Sequence, residues 1–377
     1  MYDMKSRAAS EITEIKDPET GRTVIRLTDS DCHDLRPYYD IPAWSPDGRY
    51  IVFSSVHVDD MAENRGGIND KGNVLLIDAQ RFTLTWLSCD LEFSMHTGVT
   101  PMWTKDSRKI LCGSHAENMT KVIDIESGQV SVLEGICARQ VSPDGRELVG
   151  CKGPDEIEIM DLLTNEKRTL VTAEDCVEYD QLRDKSKFSS SGIANMKWSP
   201  DGSKMILKFA TRGTHERVSK ELFVMNSEGT GLKRIDAAST SGRFHHHSWH
   251  PDGERVIYGD SDDEGNPRLY FIGIDGTGRE LVSDQPLGGH PSVSPDGTMI
   301  VTDNYRGKFG ESILMIDVDT RKIEKLASLE SGIKESKNNK PKTHAHPGWN
   351  YDGSQIVYSS MVKGRSRIFM IPLSAER

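Results

Sequence analysis

The chain has 377 residues and a formal net charge of −11, from 47 basic and 58 acidic side chains. This acidic balance argues against a general nucleic-acid or membrane binder, because both of those partners attract basic proteins. No run of about 18 apolar residues occurs, and residues 1–10 lack the apolar core of a signal peptide. The six scattered cysteines form no CxxC pair. We therefore expect a cytoplasmic protein with reduced, mostly buried thiols.

The first predicted elements are a strand at Thr23–Thr28 and, further on, a hairpin. The hairpin is predicted by Trp44-Ser45-Pro46-Asp47-Gly48 and the apolar run Tyr50–Phe53 that follows it. In this signature Pro presets φ, Asp binds nearby backbone N–H groups, and Gly supplies the positive φ that closes the turn. Asn73–Asp78 and Thr83–Leu87 then predict two more strands, which completes a unit of four.

The hairpin signature recurs along the whole chain, complete or degenerate. Its seven copies are anchored by Trp44, Trp103, Val141, Trp198, Trp249, Val293 and Trp349. Spacings of 38 to 59 residues suit four strands with variable loops. The sequence therefore predicts an all-β, seven-bladed β-propeller with four-stranded antiparallel blades, as a single domain over residues 1–377. The N-terminal strand is expected to close the last blade, whose own strands end at Arg367–Ile371.

Several histidines fall at one position of the repeat. His246, His290 and His346 lie three residues before the anchors of blades 5, 6 and 7, and His344 lies five residues before the anchor of blade 7. Side chains two residues apart in a strand share a face, so these imidazoles are expected to converge near the mouth of the central channel. A His-x-His pair with a third His is a good transition-metal chelate. The same residues are also compatible with a polar channel lining that binds no metal.

This pattern resembles the oligogalacturonate lyases, a family of cytoplasmic seven-bladed propellers with TolB-like repeats. The resemblance is based on Phe244–Gly253 (FHHHSWHPDG), Gly289-His290 and His344-Ala345-His346-Pro347. It implies an oligosaccharide lyase of pectin degradation that cleaves oligogalacturonides, or another uronic-acid oligosaccharide, by β-elimination to 4,5-unsaturated products. The partner it implies is an acidic oligosaccharide, with no nucleic acid and no membrane.

The resemblance also implies roles for individual residues. His246 would be the general base, and an arginine would assist it. Arg217 and Arg212 both lie in the loop after the second strand of blade 4, and Arg217 is favoured. A divalent metal, manganese in most of the family, would be bound by His290, His344 and His346.

One family ligand has no counterpart in this sequence. The family has a Gln three residues before the His-x-His pair, where this chain has Pro341, which offers no side-chain donor. Water or a nearby group such as Asn339 would have to replace it. The alternative function is that of a TolB-like propeller acting as a non-catalytic protein- or glycan-binding module, which would bind no metal.

Overall fold

The fold is a seven-bladed β-propeller of four-stranded antiparallel blades, as predicted. In this computed structural model, the structure describes residues 11–57, 70–179, 188–213, 219–235, 245–305, 307–331 and 343–373. Within those ranges no helix has the length and apolar character that a membrane crossing would need. The chain forms two compact units: residues 1–116, 121–132 and 289–377, and residues 117–120 and 133–288.

The first unit contains blades 1, 6 and 7 and most of blade 2, whose residues 119–120 and 133–134 belong to the second unit. Blade 1 consists of β3 (Cys32–Leu35), β4 (Tyr50–His57), β5 (Asp70–Asp78) and β6 (Leu84–Phe93). Blade 2 consists of β7 (Pro101–Trp103), β8 (Lys109–Ser114), β9 (Met119–Asp124) and β10 (Val130–Glu134). Blade 6 consists of β23 (Ser292–Val293), β24 (Met299–Asn304), β25 (Ser312–Asp317) and β26 (Ile323–Ser328), with a 3₁₀ turn at Gly307–Phe309. Blade 7 consists of β27 (Gly348–Trp349), β28 (Gln355–Val362) and β29 (Arg365–Pro372), extended by β2 (Thr23–Arg26) and β1 (Thr13–Lys16).

The second unit contains blades 3, 4 and 5. Blade 3 consists of β11 (Cys137–Val141), β12 (Glu147–Lys152), β13 (Glu156–Asp161) and β14 (Lys167–Thr172), followed by the helix α1 (Ala173–Tyr179). Blade 4 consists of β15 (Phe188–Trp198), β16 (Lys204–Gly213), β17 (Ser219–Asn226) and β18 (Lys233–Arg234). Blade 5 consists of β19 (His245–Trp249), β20 (Arg255–Ser261), β21 (Pro267–Gly273) and β22 (Glu280–Leu281).

The N-terminal strand closes the last blade, as the sequence predicted. β2 pairs antiparallel with β29, with Ile25 opposite Met370, and the Leu27 N–H donates to the Ile368 carbonyl at 2.8 Å. β1 then adds a fifth strand outside β2, which the sequence did not predict. This arrangement covers the edge that β29 would otherwise expose.

The hairpin turns have the chemistry expected of their signature. In the first copy, Asp47 Oδ1 accepts hydrogen bonds from Ser45 Oγ at 2.6 Å and from the Arg49 N–H at 3.0 Å. Gly48 has a φ of 71°, in the left-handed region that glycine favours. In the degenerate copy of blade 2, Ser107 holds the same conformation with a φ of 60°.

The apolar core lies between consecutive blades of each unit. In the first unit, Val52 and Leu76 of blade 1 pack with Trp103 and Ile110 of blade 2. Three of the anchoring tryptophans also bridge blades by hydrogen bonds, because the indole N–H donates to a carbonyl of the preceding blade. These pairs are Trp103 with Ala43 at 3.1 Å, Trp249 with Lys197 at 3.1 Å, and Trp349 with Ser292 at 3.0 Å.

Blade 1 differs from the predicted pattern in its first strand. The residues directly before Trp44 were expected to form that strand, but β3 ends at Leu35, opposite Ser54 of β4. The pairing with β4 resumes only at Trp44, which forms a bridge with Ile51. Residues 36–42 therefore form an insertion within the strand, called here the blade 1 insertion.

Candidate metal centre

The three histidines predicted as metal ligands lie together in the first unit. The ring centroid of His290 is 4.2 Å from that of His346 and 5.2 Å from that of His344, and the rings of His344 and His346 are 5.6 Å apart. His290 and His346 are buried, whereas His344 is half-buried. The structure thus brings these side chains together, and their binding of a metal stays a prediction.

The His344–His346 pair is oriented by the residue between its members. Ala345 is buried in the core between blades 6 and 7. Its N–H donates to the Tyr305 hydroxyl at 2.9 Å, and its carbonyl accepts the Ser359 N–H at 2.9 Å. His346 has a left-handed φ of 48°. The pair precedes β27 instead of lying in a strand, so this local bend and the anchored Ala345, not strand alternation, orient the two imidazoles.

His290 is held by a buried carboxylate on the neighbouring strand. Asp303 of β24 accepts the His290 N–H at 2.7 Å and lies 2.9 Å from His290 Nδ1. Gly289 allows this approach, because a Cβ at that position would lie 1.9 Å from the Asp303 carbonyl oxygen. Its φ of 113° is also suited to glycine. The Gly289-His290 pair of the sequence thus has a steric reason.

Asp303 connects two of the three histidines. Its carboxylate also accepts the Tyr305 hydroxyl at 2.6 Å and the His346 N–H at 3.1 Å. Burial opposes ionisation, but the His290 imidazole and the hydrogen bonds from His290 and Tyr305 lower the pKa of Asp303 below its ordinary value. A carboxylate on the second ring nitrogen of a histidine is the usual support of a metal-binding imidazole.

The donor set fits a divalent transition metal. Burial and the neighbouring imidazoles hold the pKa of His346 well below its ordinary value, so its ring is the neutral form that binds metals. His346 Nε2 is buried and has no hydrogen-bond partner among the described residues. A buried nitrogen of this kind requires a partner, and a metal ion in a cluster of imidazoles would supply one.

The blade 1 insertion covers this cluster with aromatic rings. The Tyr38 ring lies 4.8 Å from that of His346, and the Tyr39 ring lies 5.3 Å from that of His290. Burial raises the pKa of the Tyr38 hydroxyl above its ordinary value. The buried Arg36 donates to the carbonyl of His346 and, at 2.9 Å, to that of Ile41. The repeat register gave no indication of these residues, because they belong to an insertion.

A fourth imidazole, which the sequence analysis also missed, reaches the cluster from between β6 and β7. The exposed His96 has its ring 4.7 Å from that of His344 and 5.2 Å from that of His346. It lies seven residues before the anchor Trp103, outside the register that identified the other histidines.

His246, the predicted base, belongs to the second unit. It is half-buried in β19 and has a φ of 48°, the same backbone conformation as His346. The pairing of β19 with β20 shifts register between His245 and Ser248, so His246 lies at a bulge. In contrast, His290 does not have a positive φ, and Gly289 before it does. Histidines at the same position of the repeat therefore differ in backbone conformation: His246 and His346 are left-handed, and His290 is not.

The remaining residues named in the sequence analysis lie either in structural positions or outside the described part of the chain. The neighbour of the predicted base, His247, is buried with its Nε2 2.8 Å from the Asn195 carbonyl oxygen, which makes it structural. Arg217, Pro341 and Asn339 lie outside the described residues. The prediction that Arg212 lies in the loop after the second strand of blade 4 is wrong, because Arg212 belongs to that strand, β16, opposite Ser190. The cysteines Cys32, Cys112, Cys137, Cys151 and Cys176 are buried and form no disulfide, as expected.

Comparisons with known proteins agree with this architecture. The family described as TolB beta propeller domain matches residues 175–343. The oligogalacturonide lyase of Pectobacterium atrosepticum is 22% identical over 176 residues, 43% of this chain and 45% of that protein. The chain therefore aligns with about half the length of this curated relative.

Two solved structures extend the likeness to nearly the whole chain. An oligogalacturonate lyase in complex with manganese superposes with a TM-score of 0.73 at 17% identity, covering 97% of both chains. An oligogalacturonate lyase from Vibrio parahaemolyticus gives a TM-score of 0.71 at 17% identity, covering 97% of this chain and 98% of the other. At these identities the superpositions show the fold. The chain is a seven-bladed propeller that matches the TolB beta propeller family over part of its length and is similar in fold to oligogalacturonate lyases, so the resemblance predicted from its sequence is confirmed.

Proposed function

We propose that this protein is a metal-dependent lyase that cleaves oligogalacturonides, or related uronic-acid oligosaccharides from pectin, by β-elimination in the cytoplasm. The observation that supports it is the cluster of three imidazoles from His290, His344 and His346, in which Nε2 of His346 is buried and has no hydrogen-bond partner among the described residues. A related fold, that of an oligogalacturonate lyase, has been solved in complex with manganese.

The cluster would bind a divalent metal, and manganese is the ion that the resemblance implies. Its ligands would be His290, His344 and His346, with Asp303 fixing the ring of His290 through Nδ1. When bound, such an ion neutralises a uronate carboxylate and, as a Lewis acid, makes the neighbouring C5–H more acidic. The neutral form of His346 suits this role, since a protonated imidazole cannot bind a cation.

The protein groups would then transfer the proton. In β-elimination a base removes the C5 proton, the C4–O bond breaks, and the departing glycosidic oxygen takes up a proton. A 4,5-unsaturated uronide remains, and no water is consumed. His246 is our candidate for the base, because an imidazole that is neutral near pH 7 can accept this proton. Arg217, or Arg212 in its place, would hold a substrate carboxylate through paired N–H donors. Both assignments are based on the repeat position and the family resemblance.

The proposal is tested by the ultraviolet absorbance of the unsaturated product. Digalacturonate and longer uronides are mixed with the protein and Mn²⁺, and absorbance should rise with time. His246→Ala should abolish the rise and leave Mn²⁺ binding intact, whereas His115→Ala, an exposed histidine of blade 2, should retain activity. The lyase assignment is wrong if no uronide gives product while Mn²⁺ is bound.

The match to the TolB beta propeller domain is equally compatible with a second candidate, a non-catalytic protein- or glycan-binding module. Such a module predicts a purified protein that contains no metal and forms no unsaturated product from any uronide. Metal analysis of the purified chain therefore distinguishes the two functions before any substrate is known.

A further inference from the structure

His96 lies beside the predicted ligands without belonging to the predicted set. One ring nitrogen from each of His96, His344 and His346 lies within 4.8 Å of the other two. Two nitrogens bound to one ion at about 2.1 Å each can be no more than about 4.2 Å apart. A small rotation of side chains would therefore bring these three atoms onto a single ion.

The segment that presents His96 is held firmly at both ends. The Gly98 N–H donates to the Ser94 carbonyl at 2.7 Å, the Ser94 N–H donates back to the Gly98 carbonyl at 3.1 Å, and Ser94 Oγ accepts the His96 N–H at 3.1 Å. Within this tight loop Met95 is buried, whereas His96 is exposed.

Close packing fixes the loop against blade 1. Gly98 has a φ of 64°, and a Cβ there would lie 2.2 Å from Ser54 Oγ, so only glycine fits. The neighbouring Val99 N–H donates to the same Ser54 Oγ at 3.0 Å. These contacts position the backbone that presents His96, and a positioned backbone is the preorganisation that a ligand needs.

We propose that His96 is a ligand of the metal and takes over the role of the Gln that Pro341 replaces. This inference rests on the proposed metal site but not on the lyase reaction. With His96 the donors proposed among the described residues are four imidazoles, from blades 6 and 7 and from the β6–β7 connection, and none of them is an oxygen. Imidazole sets favour later divalent ions of the first transition row, whereas oxygen donors favour Mn²⁺. The site should therefore bind Co²⁺ or Ni²⁺ more tightly than Mn²⁺.

The test is calorimetric titration of the full chain with Co²⁺ and with Mn²⁺. His96→Ala should weaken Co²⁺ binding at least about tenfold, because even groups that only orient a metal ligand contribute about 10–100-fold to affinity. His96→Gln should restore an oxygen donor and lower the ratio of Co²⁺ to Mn²⁺ affinity. His115→Ala, which removes an exposed imidazole elsewhere, should match the wild type. Because His96 is exposed, these variants should remain folded, as thermal unfolding will confirm.

A spectroscopic measurement counts the ligands directly. Pulsed electron paramagnetic resonance of the Cu²⁺-loaded protein detects the remote nitrogen of each bound imidazole, and His96→Ala should show one fewer than the wild type. Equal Co²⁺ affinity in wild type and His96→Ala, an unchanged imidazole count, or a wild type that binds none of these ions would overturn the proposal. Failure of the lyase reaction alone would not overturn it, since both experiments measure metal binding and neither measures uronide cleavage.

Discussion

Replacing Asp303 with asparagine tests the support of the metal centre. The carboxylate accepts hydrogen bonds from the His290 N–H and Nδ1, the Tyr305 hydroxyl and the His346 N–H. An amide keeps one oxygen but turns an NH₂ towards either the His290 or the His346 N–H. One buried backbone donor thus loses its acceptor, and we expect Asp303→Asn to lower the free energy of unfolding by about 1–3 kcal/mol.

The effect on metal binding is separable from the effect on stability. Loss of a carboxylate that orients a metal-binding imidazole reduces metal affinity by about 10–100-fold, so Mn²⁺ and Co²⁺ should bind Asp303→Asn that much more weakly. The assays are urea unfolding without metal and calorimetric titration with each ion. Asp296→Asn is the matched control, because Asp296 accepts Ser294 Oγ at 2.5 Å in the hairpin turn of the same blade. The reasoning fails if folded Asp303→Asn binds metal like the wild type, or if Asp296→Asn loses affinity equally.

Three further predictions concern the first unit. Gly289→Ala places a Cβ 1.9 Å from the Asp303 carbonyl oxygen, so thermal unfolding should show a loss of more than about 1 kcal/mol, and a wild-type melting curve would contradict the steric argument. Leu27→Ala leaves a cavity at a fully buried site between blades 7 and 1, and urea unfolding should show a decrease of about 2–5 kcal/mol in the free energy of unfolding. A decrease of only a few tenths of a kcal/mol would mean that packing of the closing strand contributes little to stability. Burial lowers the pKa of His33 to about 4, and its Nδ1 accepts the Ser366 N–H at 3.2 Å. The His33 imidazole of the unfolded chain takes up a proton below about pH 6.5, whereas that of the folded chain does so only near pH 4. As the pH falls from 6.5 to 4, the free energy of unfolding of the wild type should therefore decrease by about 3 kcal/mol more than that of His33→Asn. An equal dependence of the unfolding free energy on pH in the two proteins would refute this prediction.

The blades were predictable because their signals are local. A Ser-Pro-Asp-Gly turn contains its own hydrogen bonds, such as Asp47 with Ser45, so these four residues specify a hairpin wherever they occur. The closing strand could be predicted because the sequence showed only three strands for blade 7 and one unassigned strand near the N-terminus. The candidate ligands His290 and His346 were found by their fixed offset from the anchors, which the hairpin sets.

Asp303 was within reach of the same reasoning. Ser292 pairs with Val301, and continuing that antiparallel register by two residues sets His290 opposite Asp303. The buried carboxylate beside the predicted ligand could therefore have been read from the hairpin. Tyr38 and His96 could not, because they lie in an insertion and a connection whose conformations depend on contacts with residues distant in sequence.

The candidate site depends on the closing strand β2 for its stability, because part of the site belongs to the blade that β2 completes. The blade 1 insertion is tied to blade 7, because the Arg36 N–H donates to Ser359 Oγ at 3.0 Å and its guanidinium donates to the His346 carbonyl. The ligand-bearing residues before β27 thus belong to the same blade that β2 completes. A metal that binds only the folded chain at about 100 times its dissociation constant adds about 2.7 kcal/mol of stability, similar to the expected loss in Leu27→Ala. Metal should therefore offset the loss of that packing in an unfolding experiment, whereas a variant that cannot bind metal should still keep its last blade closed, since the β2–β29 hydrogen bonds involve none of the histidines.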